Sequence, residues 1–155
     1  MNVFAGEWRD RGEVPPGWGT RHNALVERGH GLGLSVYELE PGQTQCPYHF
    51  HHVEDELLLV LRGRPTVRTP DGERELEPGD VVHFPRGPAG GHQVWNASAE
   101  PARYVVASAS ADHEIVEYPD SGKVLAASRL GPIWTMHRRE NEVDYFDGEQ
   151  PHAAP

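Results

Sequence analysis

Three histidines fall within four residues, His49-Phe50-His51-His52, and three acids follow at once, Glu54-Asp55-Glu56. Imidazole is the commonest protein ligand for a metal ion. A nearby carboxylate adds an anionic oxygen that suits the same divalent ions. Spacing decides which of these groups act together. In an extended chain residues i and i+2 share a face, so His49 and His51 aim at one point while His52 turns away. One acid at the head of the next strand would complete three ligands, and it must come from Glu54, Asp55 or Glu56.

The elements that must hold these groups are strands. Leu57 to Leu61 is a continuous aliphatic run, read as a strand buried on both faces and a firm support for the acid before it. Leu32 to Leu39 alternates, and Pro41-Gly42 turns the chain. Pro65 to Thr69 and Glu73 to Leu76 flank an Asp71-Gly72 hairpin signal. Val81 to Phe84, Gly91 to Asn96, Arg103 to Ser108 and Ile115 to Tyr118 complete the strand set, with a loop over 85–91. Turn signals every eight to twelve residues are the pattern of an all-β sandwich or barrel. Residues 1–31 read as irregular, apart from a short strand at Ala24-Leu25-Val26, with Trp8 and Trp18 pinned to the barrel wall. Residues 119–155 read as a C-terminal extension whose Trp134, Met136, Tyr145 and Phe146 favour docking on the body or on a partner subunit.

The chain of 155 residues suits one domain and can bury a real core. Its formal charge of −10 argues against nucleic acid and anionic membrane surfaces, which call for basic patches. The single cysteine, Cys46, cannot form an intramolecular disulfide. No signal peptide and no membrane-length apolar run is visible, so the expectation is a cytoplasmic protein.

The histidine stretch is one of two blocks with defined spacing. In the first, His49-x-His51 is followed after four residues by Glu56 and after six more by Gly63. In the second, Gly79 is followed after five residues by Pro85-x-Gly87, then His92, then after three residues Asn96. Together they resemble the two motifs of the cupin family. Two gaps differ from the family pattern, six residues rather than five between Gly42 and His49 and four rather than two between Gly87 and His92, and both fall in loops.

The resemblance implies an all-β double-stranded β-helix, the cupin jelly-roll barrel, with irregular N- and C-terminal extensions. It implies a single domain over 1–155, with the barrel core at about 32–118. It selects Glu56 among the three acids and brings in His92, so that His49, His51, Glu56 and His92 hold one divalent metal ion (Fe, Mn, Ni or Zn). The reading placed first is a metal-dependent dioxygenase or other oxidoreductase acting on a small organic molecule. Its alternatives are a metal-dependent isomerase or lyase and a non-enzymatic small-molecule-binding cupin. No separate catalytic base is named.

The remaining candidates receive bland assignments. Tyr48, Phe50 and Trp95 alternate away from the metal and pack in the core, and Cys46 is a buried thiol rather than part of the pocket rim. Arg68 sits on a solvated strand edge. His83 is a strand residue, and His22, His30, His113, His137 and His152 are surface residues. Leu57, Leu59 and Leu61 face opposite to Glu56, Leu58 and Val60, and an outward row of leucines calls for cover. The expectation is a homodimer.

Overall fold

Side-chain alternation along one seven-residue strand explains how a buried carboxylate can share an element with a run of leucines. The computed structural model describes residues 2–5, 7–10, 12–27 and 31–150. Among these the strands are β1 (Arg9–Asp10), β2 (Arg21–Val26), β3 (Gly31–Leu39), β4 (Phe50–His51), β5 (Glu56–Arg62), β6 (Thr66–Thr69) and β7 (Gly72–Glu75). They continue with β8 (Val81–Phe84), β9 (Gln93–Trp95), β10 (Ala102–Ser110), β11 (His113–Tyr118), β12 (Lys123–Ser128) and β13 (Trp134–Arg138).

One sheet runs β1-β2-β3-β10-β5-β8, and its ladders are antiparallel. The other layer is built from β13-β12-β11-β4 and β7-β6-β9. An antiparallel bridge between His49 and His92 joins those two pieces. This is the double-stranded β-helix that the resemblance implied. The core between the layers takes Leu58, Val60, Val82, Phe84, Tyr104 and Val106 from the first and Val67 and Val94 from the second. Burying each such aliphatic side chain is worth roughly 1.5–3 kcal/mol. Asn96, fully buried, fastens the loop after β9: its amide donates to the carbonyls of Leu39 (3.0 Å) and Glu100 (2.8 Å).

Along β5 the inner residues Glu56, Leu58 and Val60 are 5%, 0% and 1% exposed, whereas Leu57 on the outer face is 40% exposed. The run is therefore not buried on both faces within one chain. Inside the C-terminal extension, β12 pairs onto β11 and β13 onto β12, which prolongs that sheet. In the N-terminal region β2 begins at Arg21 and Trp8 lies under the guanidinium of Arg103 (4.9 Å to the ring centroid).

Glu38 on β3 is buried between two arginines. Arg103 Nε donates to its Oε2 (2.9 Å) and Arg21 to its Oε1. Burial raises the carboxyl pKa, but Arg103 and then Arg21 outweigh it and leave the value below the usual carboxylate one. A depressed folded pKa contributes stability above the unfolded value, and that stability is lost as the pH falls through the folded value. Glu38→Gln should therefore lower the melting temperature at pH 7 and lose most of that deficit in strong acid. Melting curves for both proteins from pH 7 to pH 2 check it, and a deficit independent of pH would contradict it.

Candidate metal centre

Main-chain pairing sets the histidines. His49 and His92 exchange both backbone hydrogen bonds across their bridge, His49 N–H to His92 O at 3.1 Å and His92 N–H to His49 O at 2.8 Å. Directly paired residues present side chains on one face, and their ring centroids lie 4.5 Å apart. His51, two residues beyond His49, joins the same face at 5.1 Å from it. Glu56 comes from the opposite layer, at the first position of β5. The structure thus brings His49, His51, Glu56 and His92 together, all of them buried.

The donor atoms are aimed as well as gathered. His49 Nδ1 lies 2.9 Å from the Pro47 carbonyl and His92 Nδ1 lies 2.9 Å from the Gly90 carbonyl. A carbonyl only accepts, so each Nδ1 carries the proton and each Nε2 keeps its lone pair. Ser108 Oγ donates to Glu56 Oε1 at 2.7 Å, which leaves Oε2 facing the histidines. Both His51 Nε2 and His92 Nε2 stand 3.4 Å from that oxygen. Ligand atoms of His49, His51 and Glu56 all lie within 4.8 Å of one another. Two donors at about 2.1 Å from a common ion and at right angles lie about 3 Å apart, so this set fits a divalent cation. Phe84 stacks on His92 (3.8 Å, 8°) and steadies its ring plane.

Burial, and then the neighbouring imidazoles of His92 and His51, push the His49 pKa down to about 3, which keeps it neutral. Burial also disfavours charge on His51, but the carboxylates of Glu114 and Glu56 prevail and raise it to about 9. Burial works against the Glu56 charge too, and hydrogen bonds from His51 and His92 hold that carboxyl well below its ordinary value.

The three acids after the histidines have separate tasks. Glu56 enters the cluster. Asp55 Oδ1 accepts the Arg86 N–H at 2.8 Å. Glu54, 1% exposed, accepts the Ala111 N–H (3.0 Å) and pairs with Arg129 (2.8 Å).

Above the donors lies a cavity of about 320 Å³, a size suited to a small molecule. Val106, Val116, Leu125 and Ala127 make its apolar flank; Thr20, His22, Tyr37 and Gln45 make a polar one. Two bland assignments are corrected. Cys46 is half-buried and lines the pocket, its Sγ 3.7 Å from His49 Nδ1. His22 also lines it, because β2 pairs His22 with Tyr37 and the two rings stack (6.1 Å). Trp134, from the extension, reaches the same pocket. His52 is exposed and bonds Glu117 (2.7 Å), His83 and His113 are exposed, and Arg68 pairs with Asp120 (2.7 Å). Phe50 is buried, while Tyr48 and Trp95 are half-buried; Tyr48 lies under Arg68 (4.1 Å). His137 is exposed, and His30 and His152 lie outside the described residues. Glu114 and Ser108, which face His51 and Glu56, had no motif to reveal them; only parity on strands paired with β4 and β5 places them.

A family model described as the cupin domain matches residues 35–108. A sugar phosphate isomerase from a cupin superfamily, from Silicibacter pomeroyi, is 25% identical over 83% of this chain and 82% of its own, with a TM-score of 0.71. A provisionally assigned sugar phosphate isomerase from Acidithiobacillus ferrooxidans shares 25% identity over the same fractions, with a TM-score of 0.72. The TT1209 protein from Thermus thermophilus is 32% identical over 59% of this chain and 83% of its own, with a TM-score of 0.53. No curated protein matches the chain by sequence. Among the described residues no helix is long and apolar enough to cross a membrane.

Proposed function

The chain belongs to the cupin superfamily, and on that premise we propose a divalent-metal enzyme that isomerises or cleaves a small hydroxylated organic molecule. The observation that carries this reading is the likeness, along most of the chain, to proteins named as sugar phosphate isomerases. Oxidation, placed first on the sequence, rested on a ligand set that serves several chemistries equally. The relatives move the weight to the isomerase or lyase alternative.

His49, His51, Glu56 and His92 would hold the ion. When bound, a divalent ion supplies Lewis-acid polarisation of substrate oxygens. The chain supplies the rest. Val106, Val116 and Leu125 keep water from one flank of the cavity, and Gln45 and Tyr37 offer polar contacts on the other. Isomerisation moves a proton between neighbouring carbons. His22 is the imidazole in the lining that stands outside the donor set, and in this reading it would carry that proton. Arg129 is already paired with Glu54, so free sugars belong in the test beside phosphorylated ones.

The test uses protein purified without a chelating column and loaded in turn with Mn2+, Ni2+, Zn2+ and Fe2+. Small aldoses, ketoses and their phosphates are followed by proton NMR in D2O, with an oxygen electrode in parallel. Deuterium entering the carbon next to the carbonyl, without oxygen uptake, is the expected result. Metal-dependent oxygen consumption with one of these compounds would return the reading to oxidation.

A homodimer through the outer face of the six-stranded sheet belongs to the same proposal. Leu57, Val81 and Leu32 stand 40%, 53% and 51% exposed on that layer, and Leu59 pairs with Val81 in register. An apolar patch of this kind calls for a partner, and a two-fold copy of the chain is the commonest one. Sedimentation equilibrium at micromolar concentration should give twice the 17.3 kDa chain mass. A single species at the chain mass would overturn it.

A further inference from the structure

His51 lacks the device that orients the other two histidines. His49 and His92 each direct Nδ1–H to the carbonyl two residues back. For His51 that carbonyl belongs to His49, and it already accepts the His92 N–H in the bridge. His51 Nδ1 is buried and makes no hydrogen bond of ordinary length. What faces it is Glu114 Oε2, at 3.5 Å. The pairing explains the meeting: Val116 of β11 lies opposite His51 of β4, and Glu114, two residues from Val116, shares its face.

Glu114 is itself pinned. Its Oε1 accepts the N–H groups of His52 (3.2 Å), Val53 (3.1 Å) and Ile115 (2.7 Å), and its Oε2 accepts that of Glu54 (2.9 Å). A carboxylate fixed by backbone donors, with an oxygen turned to the rear of a ligating imidazole, is built to hold a proton on Nδ1.

We propose that Glu114 is the positioning residue of the metal centre: it keeps the His51 proton on Nδ1 and so presents Nε2 to a single ion. The statement rests on His51 being a metal ligand, as proposed above. A rival arrangement is available, because His51, Glu54 and Glu114 also lie close enough together to hold a cation. A second ion there would bind Nδ1 and turn His51 into a bridge. The surroundings oppose it. The Glu54 carboxylate is taken by the Arg129 guanidinium and the Ala111 N–H, and Glu114 already accepts from four N–H groups. A second cation would also sit beside a fixed positive charge.

Glu114→Gln separates the two. The amide oxygen retains the three-donor side, which turns the NH2 toward His51 and leaves the Glu54 N–H without that acceptor. Nδ1 must then accept, and the imidazole proton moves to Nε2, where it blocks the ligand lone pair. The expected result is a 10–100-fold loss of Zn2+ affinity by calorimetry with Zn2+ alone. Nitrogen-15 NMR should show the His51 proton on Nδ1 in the Zn2+-loaded wild type and on Nε2 in the variant. Wild-type affinity in a folded Glu114→Gln protein would overturn the proposal. So would two Zn2+ per wild-type chain with no proton on either His51 nitrogen. The wild-type spectrum and stoichiometry decide the matter even if the variant does not fold. Failure of the wild type to bind Zn2+ at all would remove the metal reading itself, and this inference with it.

Discussion

Replacing His49 and His51 together by alanine is expected to lower Zn2+ affinity by more than about a thousandfold. Structural zinc sites supply about 10–16 kcal/mol, and a thousandfold loss corresponds to about 4 kcal/mol of that. Two of four donors would vanish, and the remaining pair, Glu56 and His92, would offer an ion only two protein atoms, too few for tight binding. Ligand that binds only the folded state raises stability by RT ln(1 + [L]/Kd), so the melting shift on adding Zn2+ should disappear with the affinity. The barrel should survive. The bridge between residues 49 and 92 is made by main-chain groups that alanine retains. The core of Leu58, Val60, Val67 and Val94 lies elsewhere in the barrel. Melting curves with Zn2+ and with a chelator, beside far-ultraviolet circular dichroism, measure both halves of the claim. A chelator-sensitive shift that persists in the double variant would place the metal elsewhere.

The fold was legible because strand parity and turn chemistry are local. The hairpin at Pro70-Asp71 forms between Thr69 and Gly72, and the alternation along β5 separates Leu58 from Leu57. The centre was legible only in part. His49 and His51 follow from spacing, whereas His92 comes from a second block and meets them through a bridge 43 positions away, a pairing no period in the chain announces. Glu114 and Ser108 meet His51 and Glu56 across long stretches of chain, through pairing that no local pattern shows. β12 carries Ala126, Ala127 and Ser128, small side chains with too little contrast for a period-two signal. His22 and Cys46 were assigned away from the site because each was weighed alone. Their place is decided by distant pairing: His22 lies opposite Tyr37 of β3, and Cys46 follows a segment that runs beside β9, where Gln93 donates to its carbonyl. The reaction was hidden for a different reason: the same four donors suit oxygen, proton-transfer and elimination chemistry, and only the pocket walls and the relatives discriminate.

Gly90→Ala should damage stability and metal binding together, and more than any change in an exposed loop. Gly90 is buried at the end of the short turn Pro88–Gly90. A Cβ there would lie 1.7 Å from the Pro85 carbonyl oxygen and 2.7 Å from its carbon. Those atoms are backbone, so no rotamer change relieves the overlap, and the 85–91 loop must move. The loop is tethered at both ends, by Gly87 N–H to the His51 carbonyl (2.6 Å) and by the His92 bridge. Its displacement also moves the Gly90 carbonyl away from His92 Nδ1, the contact that fixes that ligand's tautomer. Overpacking of this kind costs roughly 2–4 kcal/mol, which for a chain of this size is about 5–15 °C in melting temperature. Zn2+ affinity should fall at least tenfold in protein that still folds, because His92 loses its orientation. Gly131→Ala is the matched control: an added Cβ would meet only Ser128 Oγ, at 3.9 Å. It should stay within about 0.5 kcal/mol of the wild type, as exposed substitutions do. If Gly90→Ala matched Gly131→Ala in both melting temperature and Zn2+ titration, the loop would be free to shift without disturbing His92. The rigid carriage of that ligand by the 85–91 loop would then be wrong.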